Sequence, residues 1–225
     1  MSLFLDTSDF KIIEKYLNYG VINGVTTNPS ILLKDNKVDI DIIEYLKKIS
    51  KLIAPFNLSL EVTTNDYHEM IEQAKKYKSI GENISVKITI HGPLKEIYNL
   101  EVVNKLENEM DIRVNVTAMM NAQQCILAAY AGATYVSIFG GRVNDIGLDS
   151  IKEIQKIRKI IDLEKLKAQI IVGSVRETSN VIDWLSAGAH IVTVPPIFIE
   201  KMIIHPHTTD TVKQFMEDGS KLKIF

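Results

Sequence analysis

The chain has 225 residues, 46% of them hydrophobic and 24% charged, which suits a soluble globular protein able to bury a full core without disulfides or metals. A formal net charge of −2 gives no sign of the basic face that a nucleic-acid binder needs, and no apolar run approaches the length of a membrane span. The single cysteine, Cys125, excludes an internal disulfide; its helical, apolar neighbourhood reads as that of a small buried hydrophobe and not of a catalytic thiol.

The N-terminal segment reads as a strand over 3–6 and lacks the basic start and cleavage site of a secretory signal, so a cytoplasmic location is the default expectation. Residues 9–19 repeat apolar side chains at helical spacing (Phe10, Ile13, Tyr16, Leu17), with Ser8 or Asp9 able to cap the helix. A short strand over 24–27 is stopped by Asn28-Pro29-Ser30. A helix over 40–53, a strand over 58–62 and a helix over 67–77 follow. The pattern then repeats: strand 84–90 and helix from about 93 to 109; strand 112–117 and helix 121–131; strand 134–139 and helix 150–161; strand 169–174 and helix 177–187; strand 190–194. Pro195-Pro196 opens a last helical stretch, and 208–216 adds one more helix. Eight strands separated by helices predict an α/β fold, a single (β/α)8 barrel over 1–225 with an extra C-terminal helix and tail over 208–225. The end of that tail, Ile224-Phe225, is compatible with docking on a neighbouring subunit and equally with fraying.

Alternate side chains of a barrel strand point into the barrel or out to the helices, and the outward face must be apolar. In 84–90 the isoleucines and Val86 share one face, so Ser85, Lys87 and Thr89 face inward. By the same test Asp6, Ser59, Glu61, Arg113, Asn115, Thr117, Ser137 and Phe139 face inward. Ser174 fits less well, because it shares a parity with Ile170 and Val172. Asp6, Asn28, Glu61, Lys87, Asn115, Thr117, Ser137 and Ser174 then gather near the C-terminal strand ends, where barrel active sites lie.

A lysine in such a cavity sheds hydration, which favours the neutral, nucleophilic amine that makes Schiff bases. Asp6 and Glu61 supply a general acid and base, and the neutral polar residues can hold sugar hydroxyls. Gly140-Gly141-Arg142 and Ser174-Val175-Arg176 can bind a phosphate. No histidine or cysteine cluster has metal-ligand spacing; His205-Pro206-His207 reads as a solvated loop. Blander readings exist for each residue alone: Lys87 in a structural ion pair with Glu61 or Asp6, Asp6 as a helix cap, Phe139 as a core aromatic, Arg142 and Arg176 as surface charges. The joint occurrence of so many inward polar groups weighs against them, since structural barrel layers are filled mainly by branched apolar side chains.

Leu5-Asp6-Thr7-Ser8, Gly24-Val25-Thr26-Thr27-Asn28-Pro29-Ser30, Val86-Lys87-Ile88 and Ala131-Gly132-Ala133-Thr134-Tyr135-Val136-Ser137 resemble the small transaldolases and the related fructose-6-phosphate aldolases, and the likeness continues through Val192-Thr193-Val194-Pro195 and His205-Pro206. The resemblance implies class I aldol chemistry without a cofactor: Lys87 forms the Schiff base, Asp6 takes the proton of the C4 hydroxyl, and Glu61 with Thr117 handles water. It implies that Asn28, Asn115 and Ser137 hold the dihydroxyacetone part, and that Arg142, Ser174 and Arg176 hold the phosphate. It also implies a homo-oligomer, a pentamer or decamer, acting on sugar phosphates with no nucleic-acid or membrane partner. The aldolase branch carries glutamine and tyrosine where this chain has Glu61 and Phe139. A phenylalanine there cannot help to protonate the bound enamine, so the resemblance favours transfer of the three-carbon unit over its release. The chain departs from the family pattern at Ile88-Thr89-Ile90-His91-Gly92-Pro93-Leu94, at Ile138-Phe139-Gly140-Gly141-Arg142 and at Glu177, all on the distal side of the pocket. An aldolase releasing dihydroxyacetone, a transaldolase for an atypical sugar, and a non-catalytic sugar-phosphate binding barrel are the alternatives.

Overall fold

Short runs rich in valine and isoleucine become strands because branched side chains pack well on a pleated surface covered by helices. In the computed structural model, which describes residues 2–35 and 40–222, these runs form β1 (Ser2–Asp6), β2 (Gly24–Thr26), β3 (Asn57–Glu61), β4 (Ile84–Thr89), β5 (Val114–Met119), β6 (Tyr135–Ile138), β7 (Gln169–Val172) and β8 (Ile191–Val194). Each pairs in parallel with the next, and β8 pairs with β1 to close an eight-stranded barrel. Helices α1 (Phe10–Asn18), α2 (Pro29–Lys34), α3 (Ile42–Ile53), α4 (Tyr67–Lys78), α5 (Asn99–Glu109), α6 (Ala122–Tyr130), α7 (Gly140–Asp145), α8 (Ser150–Glu164), α9 (Thr178–Ser186) and α10 (Pro196–Ile203) fill the connections, and α11 (Pro206–Gly219) follows the last. The fold is therefore the (β/α)8 barrel that the strand–helix alternation predicts.

The main core lies between the barrel and its helices. Leu5, Val25, Leu60, Val86, Val116 and Val192 point outward and are fully buried there. Burying each such side chain contributes about 1.5–3 kcal/mol. The barrel interior is divided. Phe4, Tyr135, Ile171 and Ile191 form a separate apolar cluster on one side, with the Phe4 and Tyr135 rings edge to face at 6.4 Å. On the other side Asn57, Ser59, Ser85 and Asn115 form a polar floor. Ser59 Oγ lies 2.9 Å from Ser85 Oγ and accepts from Asn57 Nδ2 and Asn115 Nδ2, and Ser137 Oγ donates to Asn115 Oδ1 at 2.6 Å.

Several sequence-based expectations change. Asp9, not Ser8, caps α1, taking the Ile12 N–H at 3.0 Å. The helix expected from about residue 93 begins at Asn99; the intervening stretch is a loop, with Lys95 at φ +70° and Glu96 Oε2 accepting the Leu94 N–H. The fifth strand runs two residues later than expected. Arg113 consequently lies outside it and donates to the Glu82 and Ile84 carbonyls at the foot of the barrel instead of pointing into the interior. The seventh strand ends at Val172, two residues early, and the sixth at Ile138, so Phe139 leads into α7. Helices α2 and α7 had no periodic signal because each is only six residues long. His205-Pro206-His207 is exposed but opens α11 instead of forming a loop. Cys125 is fully buried, and burial pushes its thiol pKa up, as expected of an inert core residue. The tail residues Ile224-Phe225 lie outside the described residues.

Candidate active site

The pocket at the C-terminal end of the barrel is a cavity of about 180 Å³, partly open to solvent. That suits a small ligand. Its wall contains Asp6, Asn28, Lys87, Asn115, Thr117, Ser137, Phe139, Arg142, Ser174 and Arg176, which is every predicted site residue except Glu61. Glu61 sits behind the wall and reaches it through Lys87. The two are register partners on β3 and β4, so their side chains leave neighbouring strands at one level on one face. Glu61 Oε2 lies 3.0 Å from Lys87 Nζ, and Lys87 Nζ also donates to the Thr27 carbonyl at 2.9 Å. Lys87 is 5% exposed. The ion pair anticipated as the bland reading therefore exists, but it opens onto a cavity, and among the described residues Lys87 is the only lysine on that wall.

Asp6 ends β1 and accepts from Thr26 Oγ1 at 2.7 Å, so it is no helix cap. Burial raises its pKa above the usual carboxylate range; the nearby Lys87 charge and the Thr26 hydroxyl offset this in part, and the Glu61 and Asp35 charges add to it. A carboxyl raised by burial in a cleft, beside a cation, is placed to exchange protons with a bound ligand. Thr117 is buried, and its Oγ1 has no partner among the described residues. Such a hydroxyl is free to bind a substrate oxygen or a water. Asn28 caps α2, its Oδ1 taking the Ile31 N–H at 2.9 Å, which leaves its Nδ2 end for a ligand. Asn115 and Ser137 are bonded to each other and to the polar floor, so they present a fixed surface.

The chain matches the family model described as "Transaldolase/Fructose-6-phosphate aldolase" over residues 3–224. It belongs to that family. A relative from Clostridioides difficile (strain 630) named "Probable transaldolase" is 40% identical, covering 100% of both chains. One of the same name from Nitrosopumilus maritimus (strain SCM1) is 37% identical over 99% of this chain and 96% of its own. Among solved structures, a soluble mutant of the membrane-associated (S)-mandelate dehydrogenase from Pseudomonas putida superposes with a TM-score of 0.58 at 11% identity, over 87% of this chain and 66% of its own. A mandelate oxidase superposes with a TM-score of 0.57 at 12% identity, over 83% of this chain and 60% of its own. At that identity the likeness to these two shows the barrel fold alone. This chain spans about six tenths of the mandelate oxidase and 66% of the dehydrogenase.

Within this transaldolase/aldolase-family barrel, the distal end of the pocket is built from two pieces pressed together. Gly141 lies so close to the next loop that a Cβ there would fall 1.8 Å from the Ser174 carbonyl oxygen, hence the glycine. Ser174 itself stands at φ +66°. That left-handed kink, just past the end of β7, turns its side chain into the pocket although strand parity assigns it to the outer face. Arg142 lies over the Phe139 ring, 4.9 Å from its centre. Arg176 donates to Asp145 Oδ2 through Nε at 3.2 Å and Nη2 at 2.8 Å, in a half-exposed pair. Glu177, the acidic departure beside this site, caps α9 in a reciprocal capping box with Asn180.

Four wall residues were not among those expected from sequence: Thr26, Ile171, Gly173 and Thr193. Thr26 and Thr193 form a very short hydroxyl contact with each other beside Asp6. The parity rule would have found both, since Val25 points outward between Gly24 and Thr26, and Val192 and Val194 flank Thr193 on the outer face.

Proposed function

We propose that the chain is a transaldolase that moves a dihydroxyacetone unit from a ketose phosphate, of the fructose 6-phosphate or sedoheptulose 7-phosphate type, to an aldose phosphate through a Schiff base on Lys87. The observation that carries this reading is a 5% exposed lysine on the wall of the pocket, 3.0 Å from a carboxylate that can take its proton. Glu61 receives the proton that the ammonium must lose, and the amine attacks the ketose C2 carbonyl. Water leaves with a proton returned from Glu61, beside the unpartnered Thr117 hydroxyl. Asp6 takes the C4 hydroxyl proton, the C3–C4 bond breaks, and its electron pair passes to the iminium nitrogen. The aldose leaves, and the enamine attacks the carbonyl carbon of the acceptor. The iminium is the electron sink, so the scheme needs no cofactor. Phe139 offers no proton to the enamine, which favours transfer over release of free dihydroxyacetone. Arg142 and Arg176 are the cations available for the phosphate.

Borohydride reduction in the presence of fructose 6-phosphate, followed by peptide mass spectrometry, is expected to leave a three-carbon adduct on Lys87. A folded protein that traps neither this sugar nor free dihydroxyacetone on Lys87 would overturn the mechanism. Release of dihydroxyacetone without any acceptor would replace transfer by simple aldol cleavage.

We further propose a homo-oligomer, a pentamer or decamer, in which α11 packs on a neighbouring subunit. The support is that α11 buries none of its residues against the described residues of its own chain and leaves Val212, Phe215 and Met216 exposed. A 14-residue helix with no packed face has little reason to hold together in water. Truncation after Ile204 is expected to reduce the mass in light scattering to that of a monomer, with the barrel's circular dichroism retained. An unchanged assembly in the truncated protein would sink this arrangement.

A further inference from the structure

We propose that Asp35, at the C-terminal end of α2, is a positioning residue that holds Asp6 in place for carbon–carbon bond cleavage; the proposal rests on reading Asp6 as the acid–base of that step. The residues that directly follow Asp6, Thr7 and Ser8, are buried at 4% and 0% exposure. A single oxygen grips both: Asp35 Oδ2 accepts from Thr7 Oγ1 at 3.1 Å, from the Ser8 N–H at 2.9 Å and from Ser8 Oγ at 2.8 Å. The Ser8 carbonyl is fixed in turn by the Tyr45 hydroxyl at 2.6 Å.

Asp35 is itself anchored as the C-cap of α2, and the N-cap of the same helix is Asn28. One short helix thus links two wall residues of the pocket, Asn28 directly and Asp6 through the clamp on Thr7 and Ser8. Asp35 makes no ion pair among the described residues; its carboxylate is engaged by the Thr7 and Ser8 donors that follow Asp6. It also shares with Asp6 a second hollow, walled by Ile31, Lys34 and Pro195. The charged groups facing Asp6 are Lys87 from β4, Glu61 from β3 and Asp35 from α2, with Lys34 on the wall of the hollow. The Asp35 charge adds to the upward push on the Asp6 carboxyl.

Schiff-base formation uses Lys87 and Glu61 and does not need Asp6. A misplaced Asp6 therefore leaves the Schiff base formed with the C3–C4 bond intact. The test is borohydride trapping with fructose 6-phosphate, together with steady-state kinetics, on D35A, D35N and T7V. In D35A the reduced adduct on Lys87 is expected to move from three carbons toward the whole sugar. Its kcat should fall on the order of 10- to 100-fold, the cost of a displacement near 1 Å, with KM within about threefold. D35N keeps an oxygen that can accept the same three donors, so kcat should largely recover. Its acid limb of the pH–rate profile should move to lower pH, because a negative neighbour of the base is gone.

T7V removes one donor to Asp35, together with the acceptor of the Asp9 N–H, without opening a cavity and should show the same change of adduct to a smaller degree; it decides the matter if D35A does not fold. Wild-type adduct ratios in both D35A and T7V would overturn the proposal while leaving the Schiff-base reading intact. Loss of all adduct from a folded D35A would also overturn it, by placing the effect on Lys87. Absence of any adduct in the wild-type protein would overturn both readings.

Discussion

Replacing Lys87 by methionine is expected to lower kcat/KM for transfer from fructose 6-phosphate by roughly ten-thousand-fold or more, the scale on which removal of a covalent nucleophile acts. Methionine matches the lysine stem in length and cannot form an iminium. The remaining pocket can still bind the sugar, so the ligand should continue to raise Tm while no adduct is trapped. The substitution also leaves Glu61 without its cation. Its side chain is 18% exposed, so the penalty lies at the low end for a broken buried pair, about 3 kcal/mol, and the protein stays folded. Coupled detection of the released aldose phosphate and a thermal melt check both parts. A K87M protein with even a hundredth of the wild-type rate would end the Schiff-base account.

The second large effect is expected at Asp6, where activity and stability should move in opposite directions. Asp6→Asn keeps a side-chain oxygen to accept from Thr26 Oγ1 but cannot take the C4 proton. Turnover should fall on the order of 100- to 10,000-fold. The adduct trapped on Lys87 should then carry the whole sugar. The stability sign follows from burial as the main cause of the raised pKa. The folded state holds this proton more tightly than the unfolded chain does. Its contribution to stability is therefore full below the ordinary aspartate range near 3.8 and is lost as pH rises through the folded value. Above that value the wild type bears the cost of a charged carboxylate that the asparagine variant avoids. The Tm of D6N relative to wild type should rise from pH 4 to pH 8. A D6N protein that loses Tm relative to wild type across that range would mean that the Lys87 attraction outweighs burial.

How much of this was legible beforehand differs from residue to residue. Lys87, Asn115, Thr117 and Ser137 were readable because each sits inside a regular strand, where one rule of alternation decides its face. The same rule was sufficient for Thr26 and Thr193, whose flanking valines point outward. It failed at Ser174, since a left-handed residue beyond the strand end reverses the direction of the side chain, and no pattern of alternation encodes a single positive φ. It failed at Arg113 because the strand begins one residue after it.

The sequence by itself determined the barrel, the helix order and the inward set of polar residues, because these follow from hydrophobic periodicity, a local property summed along each element. Tertiary structure alone decided which of those residues meet. The register of β3 on β4 brings Glu61 to Lys87. The close approach of Gly141 to Ser174 assembles the distal wall. The reach of Asp35 back to Thr7 and Ser8 spans 28 and 27 positions of chain. The exposed face of α11 is of the same kind. Its apolar residues are plain in the sequence, yet only the folded chain reveals that nothing among the described residues covers them. Pair contacts of this sort depend on strand register, loop conformation and assembly, which arise from the packing of distant segments and leave no periodic trace in any one of them.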